Sequence, residues 1–335
     1  MMDDRSHSTS LVAVFVRRYG SAFGFVILCI YFALATENHT FTNPANLLNI
    51  ADQVSVNLIL AVGMTFVIIS GGIDLSVGSV LALGGTVAGG VLAQGLALGG
   101  LALSPAHPTA LLVLAAILCG LAVGTACGLF NSLVITRFSI HPFLATLAMM
   151  LLARGIANVY VGGGRFGNLP EIFTTLCRER VGPVPRTAVL AAVVVVIGYL
   201  LLKRTVFGRR VYAIGGNEEA ARLSGVPVAR TKIIIFTAAG LLAALGGVVS
   251  ASTLGAGDPT TGYYAELDAI AAVVLGGASL SGGLGSIGGT VLGALLIGVL
   301  NNGLGLMKVD EFYQLMARGL VILGAVIIDQ TTKGK

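Results

Sequence analysis

The chain has 335 residues and a formal net charge of +5, and 56% of its residues are hydrophobic whereas 10% are charged. Soluble domains carry about a quarter charged residues, so this composition excludes an ordinary soluble protein and predicts one embedded in a lipid bilayer. The basic residues are not gathered into one stripe with interleaved aromatics, so nucleic acid is not expected as a partner.

Long apolar runs recur along the whole chain. Runs of roughly 17 to 25 such residues are long enough to cross a hydrocarbon core as helices. We therefore predict an all-α polytopic membrane protein with about ten helices and a single transmembrane domain over 1–335. The predicted spans are 20–36, 47–69, 77–96, 110–131, 142–160, 187–203, 231–253, 266–280, 285–303 and 312–328.

The first run is expected to be retained as a helix behind a cytoplasmic tail at 1–19. Arg17 and Arg18 lead into it, and no small-residue cleavage site follows. When the spans alternate from a cytoplasmic N-terminus, most lysines and arginines of the connecting segments fall on the cytoplasmic side, as the positive-inside rule requires. Both termini are therefore predicted to be cytoplasmic.

A carboxylate stands among glycines directly after the second predicted span, in GGIDLSVG at 71–78. Two interpretations are open. In the first, Asp74 and Ser76 cap the helix that begins near Leu75, where the helix dipole favours an anion. In the second, the turn is non-helical backbone that lines a protein-enclosed cavity.

The same frame recurs as GGASLSGG at 276–283, where Ser279 and Ser281 would play the matching part. GLFNSL at 128–133 also resembles GVLNNG at 298–303, although at a different offset and in predicted helices of opposite direction. Together these echoes predict an internal repeat, which is a common plan among transporters.

Residues 203–230 form the longest strongly basic stretch and are predicted to be a cytoplasmic loop. Within it, 217–224 has the signature of a short helix, because Asn217 suits the N-cap, glutamates follow in the first turn, and Gly225 and Pro227 end it. An isolated helix of about two turns is marginal in water. We therefore expect it to dock on a partner, or else on its own bundle or the lipid interface.

The chain resembles one known family along most of its length, roughly 45–328. Three stretches carry the likeness: VGMTFVIISGGIDLSVGSV (62–80), FGRRVYAIGGNEEAARLSGV (207–226) and LDAIAAVVLGGASLSGGLGSIGGTVLGALL (267–296). They are similar to the permease subunits of bacterial ABC importers for monosaccharides, the group that contains ribose, xylose and galactofuranose systems.

The resemblance implies an inner-membrane subunit that pairs with a second permease, either a copy of itself or a different chain. It also implies a periplasmic sugar-binding protein that delivers the sugar and a cytoplasmic ABC ATPase that binds ATP and Mg²⁺. No lysine of this chain lies in a Walker A context, so we predict no enzyme activity and no cofactor in the chain itself.

The short helix is similar to the coupling helix that such permeases insert into a groove of the ATPase. The resemblance implies three glycine hinges around it. The implied coupling residues are Gly215, Gly216, Asn217, Glu218, Glu219, Ala220, Ala221, Arg222, Leu223, Ser224 and Gly225, the hinges being the glycines.

Sugar hydroxyls need hydrogen-bond partners, which amides and hydroxyls provide without the desolvation of a buried charge. The candidates for the translocation path are Asp52, Gln53, Asn57, Asp74, Ser76, Asn131, Asn158, Ser281 and Asn302, with Asn301 beside the last. Gln53 and Asn57 share a helix face because they lie four residues apart. For each of these side chains, a hydrogen bond between helices is the competing interpretation.

Aromatic platforms are the other usual sugar contact, but tryptophan is absent and aromatics make up 7% of the residues. We therefore expect a path lined by small residues that leaves selectivity to the binding protein. Two predicted external loops, 37–46 and 254–265, lack lysine and arginine. With Glu37, Asp258 and Glu266, they are the expected docking surface for that protein.

An ion-coupled secondary transporter of a small polar solute is the competing class. Such a protein would couple through carboxylates buried in its spans, whereas Asp52, Asp74 and Asp268 fall near predicted span ends. Arg154 and Arg318 lie in or at the ends of spans, and each is expected to snorkel or to pair with a carboxylate.

Overall fold

The protein is an all-α bundle in its computed structural model, which describes residues 11–98, 101–106 and 109–333. Helices α1 to α13 are Leu11–Ala35, Pro44–Ile69, Val77–Gln94, Ala110–Phe138, Pro142–Val161, Glu171–Arg178, Arg186–Arg204, Val206–Gly216, Glu218–Leu223, Val228–Leu254, Ala265–Leu275, Ile287–Leu306 and Glu311–Lys333. A 3-10 helix follows α1 at Glu37–Thr42. Two antiparallel hairpins pair β1 (Leu96–Leu98) with β2 (Leu101–Leu103) and β3 (Arg180–Val181) with β4 (Val184–Pro185).

The predicted all-α membrane fold is confirmed, but the predicted count of about ten spans is not. Among the described residues, 7 helices are long and apolar enough to cross a membrane, namely α2, α3, α4, α5, α7, α10 and α12. The predicted span 266–280 is wrong as one continuous helix, because α11 ends at Leu275 and contains 11 residues. Such a helix is about 16 Å long, roughly half of a hydrocarbon core.

Helix α10 lies at the centre of the bundle, where it packs against α2, α3 and α4. Small residues allow these contacts. A Cβ atom on Gly124 of α4 would lie 2.6 Å from the Gly240 carbonyl oxygen, and one on Gly85 of α3 would lie 2.6 Å from the Gly247 carbonyl oxygen. Because lipid supplies no hydrophobic drive between helices, this close backbone approach stabilises the bundle.

Two glycine-rich turns lie at the same end of the bundle, the end that also carries α9. The Asp74 turn (70–76) joins α2 to α3, and the Ser279 turn (276–286) joins α11 to α12. The turns touch, because the Gly283 N–H donates a hydrogen bond to the Ile69 carbonyl oxygen at 2.9 Å. The frame shared by GGIDLSVG and GGASLSGG therefore marks two helix–turn–helix units in like positions.

The second sequence echo has no such counterpart. Residues 128–133 lie near the α9 end of α4, where Gly128 packs against Phe236. Residues 298–303 lie toward the opposite end of the bundle, the α6 end, where Asn302 bonds Asn46 at the start of α2. The repeat is therefore limited to the units around the two turns.

Candidate functional site

Helix α9 has the two ends that the sequence predicts. Asn217 accepts the Ala220 N–H through Oδ1 at 2.9 Å and so satisfies one of the free N–H groups of the first helical turn. At the other end Gly225 has a φ of 81°, and the Val226 N–H donates to the Ala221 carbonyl oxygen at 3.0 Å. This Schellman motif ends the helix.

One side of α9 is held by the bundle, and the other is open. Ala221 is buried, and Glu218 forms an ion pair with Lys232 of α10, at 2.7 Å between Oε2 and Nζ. Arg222 pairs with Glu219 on the helix surface, and Leu223 leaves 80% of its surface exposed. The open side is therefore accessible to another protein.

Gly215, the residue before the last of α8, packs directly on the last residue of α2 and on the Ser279 turn. A Cβ atom on Gly215 would overlap the Ile69 carbonyl oxygen and lie 2.5 Å from the Gly283 nitrogen, and one on Gly282 would lie 3.0 Å from Gly71 Cα. We call these five residues the glycine junction. Through it, the helix pair α8–α9 is in backbone contact with α2 and with the Ser279 turn.

A tyrosine adds a hydrogen bond to the same contact. The Tyr212 hydroxyl of α8 donates to the Gly285 carbonyl oxygen of the Ser279 turn at 2.8 Å. Burial raises the pKa of Tyr212, so its hydroxyl remains a donor at neutral pH.

The hinge role implied for Gly215 and Gly216 stays a prediction. Both residues lie in α8, which ends at Gly216. At Gly215, Ile69 and Gly283 approach so closely that a side chain has no room, whereas a Cβ atom on Gly216 would meet nothing within 4 Å. Among the three implied hinges, Gly225 has the left-handed conformation that favours glycine.

Side chains hold the Asp74 turn in place. Asp74 accepts two hydrogen bonds through Oδ1, from the Ser76 N–H at 2.8 Å and from the Ser76 hydroxyl at 2.6 Å. Asn131 of α4 donates to that hydroxyl oxygen at 3.1 Å, and Thr146 of α5 accepts the Leu75 N–H at 3.1 Å. Asp74, Ser76 and Asn131 are 1%, 2% and 1% exposed, so none of them lines an open path in this conformation.

The carboxylate stabilises the turn more than the helix end. The N-cap of α3 is Ser76, whose side chain makes no capping bond. Asp74 instead bonds the N–H two residues ahead, as in an Asx-turn. The capping interpretation is therefore wrong for this carboxylate: Asp74 lies two residues before the N-cap Ser76 and closes the turn instead of capping α3.

Three further path candidates bond within the bundle. Asn302 and Asn46 exchange hydrogen bonds between their amides at 2.9 and 3.0 Å. Thr187 of α7 donates to Asp52, and Asn158 donates to a carbonyl of its own helix at 2.8 Å. The contacts of Asn302 and Asp52 agree with the competing interpretation of a hydrogen bond between helices, whereas the contact of Asn158 lies within α5.

Two candidates are left with groups that a ligand would complement. Gln53 is exposed, and Asn57 has a buried Oδ1 without a hydrogen-bond partner in the described part of the chain. Asn301 is in the same state as Asn57. Ser281 lies in the Ser279 turn, where its N–H donates to Ser279 Oγ at 3.2 Å.

Residues 255–264, which the sequence places in an external loop, enter the bundle instead. A Cβ atom on Gly89, near the end of α3, would lie 2.8 Å from Gly257 Cα. One on Gly262 would lie 2.8 Å from the carbonyl oxygen of Gly78, at the start of α3. Between these contacts the segment descends along α3 by about 16 Å, so α11 begins inside the bundle.

Arg154 holds this re-entrant segment. Its guanidinium donates to the carbonyl oxygens of Pro259 and Thr261, the latter at 2.9 Å, and lies 4.3 Å from the Tyr263 ring centroid. For Arg154, the carboxylate partner that was one of two expected alternatives is replaced by carbonyl groups, because irregular backbone at this depth needs donors. The expectation is confirmed for Arg318, which pairs with Asp268 at 3.3 Å.

The entry of residues 255–264 into the bundle also changes the surface that was expected to dock the binding protein. Glu266 lies in the first turn of α11, its Oε2 is buried, and Gly78 packs against it. It is therefore not available at an external surface. The sequence signal for re-entry is GAGDPTTGYY at 255–264, in which glycines and a proline that break helices are followed by two tyrosines. These tyrosines are absent from the predicted path residues.

A multi-pass bundle with two like helix–turn–helix units, a re-entrant segment and an exposed capped helix is the architecture of a membrane transport component. The family model described as branched-chain amino acid transport system / permease component matches residues 46–327. The chain therefore belongs to this family of permease components.

Relatives match nearly the whole chain. The ribose import permease protein of Bacillus subtilis is 44% identical over 317 residues, which cover 94% of this chain and 93% of that protein. The ribose import permease protein of Escherichia coli K12 is 42% identical over 307 residues, covering 90% and 91%. The L-arabinose transport system permease protein of the same strain is 38% identical over 315 residues, covering 93% and 90%. No solved structure matches the chain.

Proposed function

We propose that this chain is the transmembrane subunit of an ATP-driven ABC importer that carries a monosaccharide across the bacterial inner membrane. It works with a second permease subunit, a cytoplasmic ABC ATPase that binds ATP and Mg²⁺, and a periplasmic sugar-binding protein. The ribose and arabinose permeases that share most of its length support a pentose or a similar sugar as the cargo.

Helix α9 is the observation that carries this proposal. It is capped at both ends, exposed on one side, and joined through the glycine junction to the turns that connect four helices of the bundle. Movement of a partner bound to α9 would reach these helices through the glycine junction. The partner we assign to it is the ATPase.

The proposed orientation places the α9 end and both termini in the cytoplasm. Seven of the eight basic residues of α7 to α10 lie at this end, as the positive-inside rule requires, and Arg186 lies at the other; the seven are Lys203, Arg204, Arg209, Arg210, Arg222, Arg230 and Lys232. The α6 end then faces the periplasm, where Glu37 and Asp258 remain the acidic residues that we propose for binding-protein docking.

Sugar uptake into proteoliposomes tests the function. The vesicles contain this permease with its ATPase and binding protein, and ATP is sealed inside. We expect ATP-dependent uptake, and we expect Leu223→Arg to abolish both uptake and co-purification of the ATPase, because an apolar contact becomes a cation.

Leu176→Arg is the matched control, since Leu176 is also an exposed leucine on a short helix but lies on α6 at the opposite end of the bundle. It should keep both the ATPase and uptake. Uptake that continues without any ATPase would mean an ion-coupled secondary transporter instead, and Asp74 would then be the first carboxylate to replace.

A further inference from the structure

We propose that Tyr263 and Tyr264 form an aromatic sugar contact on the translocation path, within the import function proposed above. The two side chains are 58% and 51% exposed, and their ring centroids are 6.3 Å apart. They stand at the end of the re-entrant segment, directly before α11.

Contacts on α3 and α5 set the depth of this pair. Gly262 packs on Gly78, about 16 Å along α3 from the contact near the α6 end, and Arg154 in the middle of α5 lies against Tyr263. Tyrosines of a membrane protein usually lie in the interfacial belts. This pair lies well inside the bundle instead.

Contacts on α2 and α12 give the same depth by an independent route. Gly276 packs on Thr290, and the Thr290 hydroxyl lies 2.7 Å from that of Thr65, so Gly276 is level with Thr65. Helices α2 and α11 run in the same direction, and Tyr264 and Gly276 flank the 11 residues of α11, so they are 12 positions apart. Counting back 12 positions from Thr65 on α2 places Tyr264 level with Gln53.

The polar groups at this level indicate water rather than lipid. Gln53 is exposed, and Asn57, on the same face of α2, has a buried Oδ1 without a partner in the described part of the chain. An amide or phenol exposed to hydrocarbon lacks hydrogen-bond partners, which makes such an arrangement unfavourable. We therefore assign this face to a wet passage.

The backbone at the pair is unusual as well. Tyr264 has a φ of 65°, in the left-handed region that bulky residues rarely adopt. Conformations of this kind persist where the surroundings enforce them, and they cluster at functional sites. Here the carbonyl groups before it are held by Arg154, and α11 follows at once.

The chemistry of a monosaccharide fits these groups. One face of a sugar ring presents C–H bonds, which pack against an aromatic ring, while its hydroxyls need donors and acceptors. The tyrosine rings offer the flat apolar surface, and the exposed amide of Gln53 offers the hydrogen bonds. The expectation that the path lacks an aromatic platform is therefore revised.

Uptake by the complete importer tests the pair. We expect Tyr263→Leu and Tyr264→Leu each to lower the rate of sugar uptake by about tenfold, while sugar-loaded binding protein still stimulates the ATPase. The ring-preserving variants Tyr263→Phe and Tyr264→Phe should keep most of the uptake. Tyr313→Leu is the matched control, because Tyr313 is 66% exposed at the start of α13.

Leucine variants that match wild type in uptake and in the ranking of competing monosaccharides would overturn the contact, while the import function would stand on the wild-type result. Wild-type vesicles that take up no sugar with ATP would instead overturn the function.

Cysteine labelling covers the case in which a leucine variant fails to fold. In a chain whose four cysteines are replaced, we expect Gln53→Cys and Tyr264→Cys to react with a charged, water-soluble thiol reagent. Protection of both cysteines from that reagent would place the face in lipid and overturn the proposal.

Discussion

The Asp74 turn and the Ser279 turn share a sequence frame and a place in the bundle, but they are held by different means. The Asp74 turn is tied by side chains to Asn131 of α4 and Thr146 of α5. The Ser279 turn is tied through its backbone, by the Gly283 N–H to α2 and by the Gly285 carbonyl oxygen to α8.

This difference indicates which of the two turns would move together with α9. Hydrogen bonds to two long helices fix the Asp74 turn in the bundle interior. The Ser279 turn has left-handed backbone at Gly282 and Gly283, and it rests on the helix pair that we propose to contact the ATPase. Movement of α9 would therefore reach α11 and α12 before it reaches α3.

The largest effect should come from filling the glycine junction. Gly215→Ala places a methyl group on the Ile69 carbonyl oxygen, so we expect a loss of about 3 kcal/mol in stability and loss of sugar uptake. Thermal unfolding in detergent and proteoliposome uptake measure the two. Gly216→Ala is the control, because its methyl group meets open space. Equal behaviour of the two variants would contradict close packing at the junction.

An intermediate effect should follow from opening the Asp74 turn. Asp74→Ala removes the acceptor for the Ser76 N–H and hydroxyl, and we expect a loss of about 2 kcal/mol in thermal unfolding measurements. Asp74→Asn keeps an Oδ1 acceptor and should lose about half as much. If the asparagine variant were as unstable as alanine, the negative charge rather than the hydrogen bonds would hold the turn.

The smallest effect should come from a single bond of the Ser279 turn. Tyr212→Phe removes the hydroxyl that donates to the Gly285 carbonyl oxygen, and we expect a loss of about 1 kcal/mol. The ratio of sugar transported to ATP hydrolysed should fall as well, because the turn is less firmly joined to α8. An unchanged ratio in the same vesicles would show that this hydrogen bond does not contribute to the coupling between ATP hydrolysis and sugar transport.

Local patterns were sufficient to predict α9. Its N-cap at Asn217 and its end at Gly225 depend on neighbours within a few residues, so spacing alone identifies them. The hydrogen bonds of Asp74 are also local, since both come from Ser76. Asn131 supports the same turn from far along the chain, and no local pattern indicates that contact.

The re-entrant segment could not be predicted, because hydropathy reports how apolar a stretch is and not where it lies. Its descent depends on Gly257 meeting Gly89 and on carbonyl groups meeting Arg154, which are contacts between distant parts of the sequence. The same limit explains the predicted span 266–280. Its apolar residues continue past Leu275, but the Ser279 turn ends the helix there.

The glycine junction has a consequence for biogenesis. It joins residues 69, 215 and 283, so its contacts span most of the chain and close a large loop. A growing polypeptide cannot complete the support beneath α9 until its last third has been synthesised and inserted. The contact with an ATPase that we propose for α9 would therefore form on permeases that have finished folding.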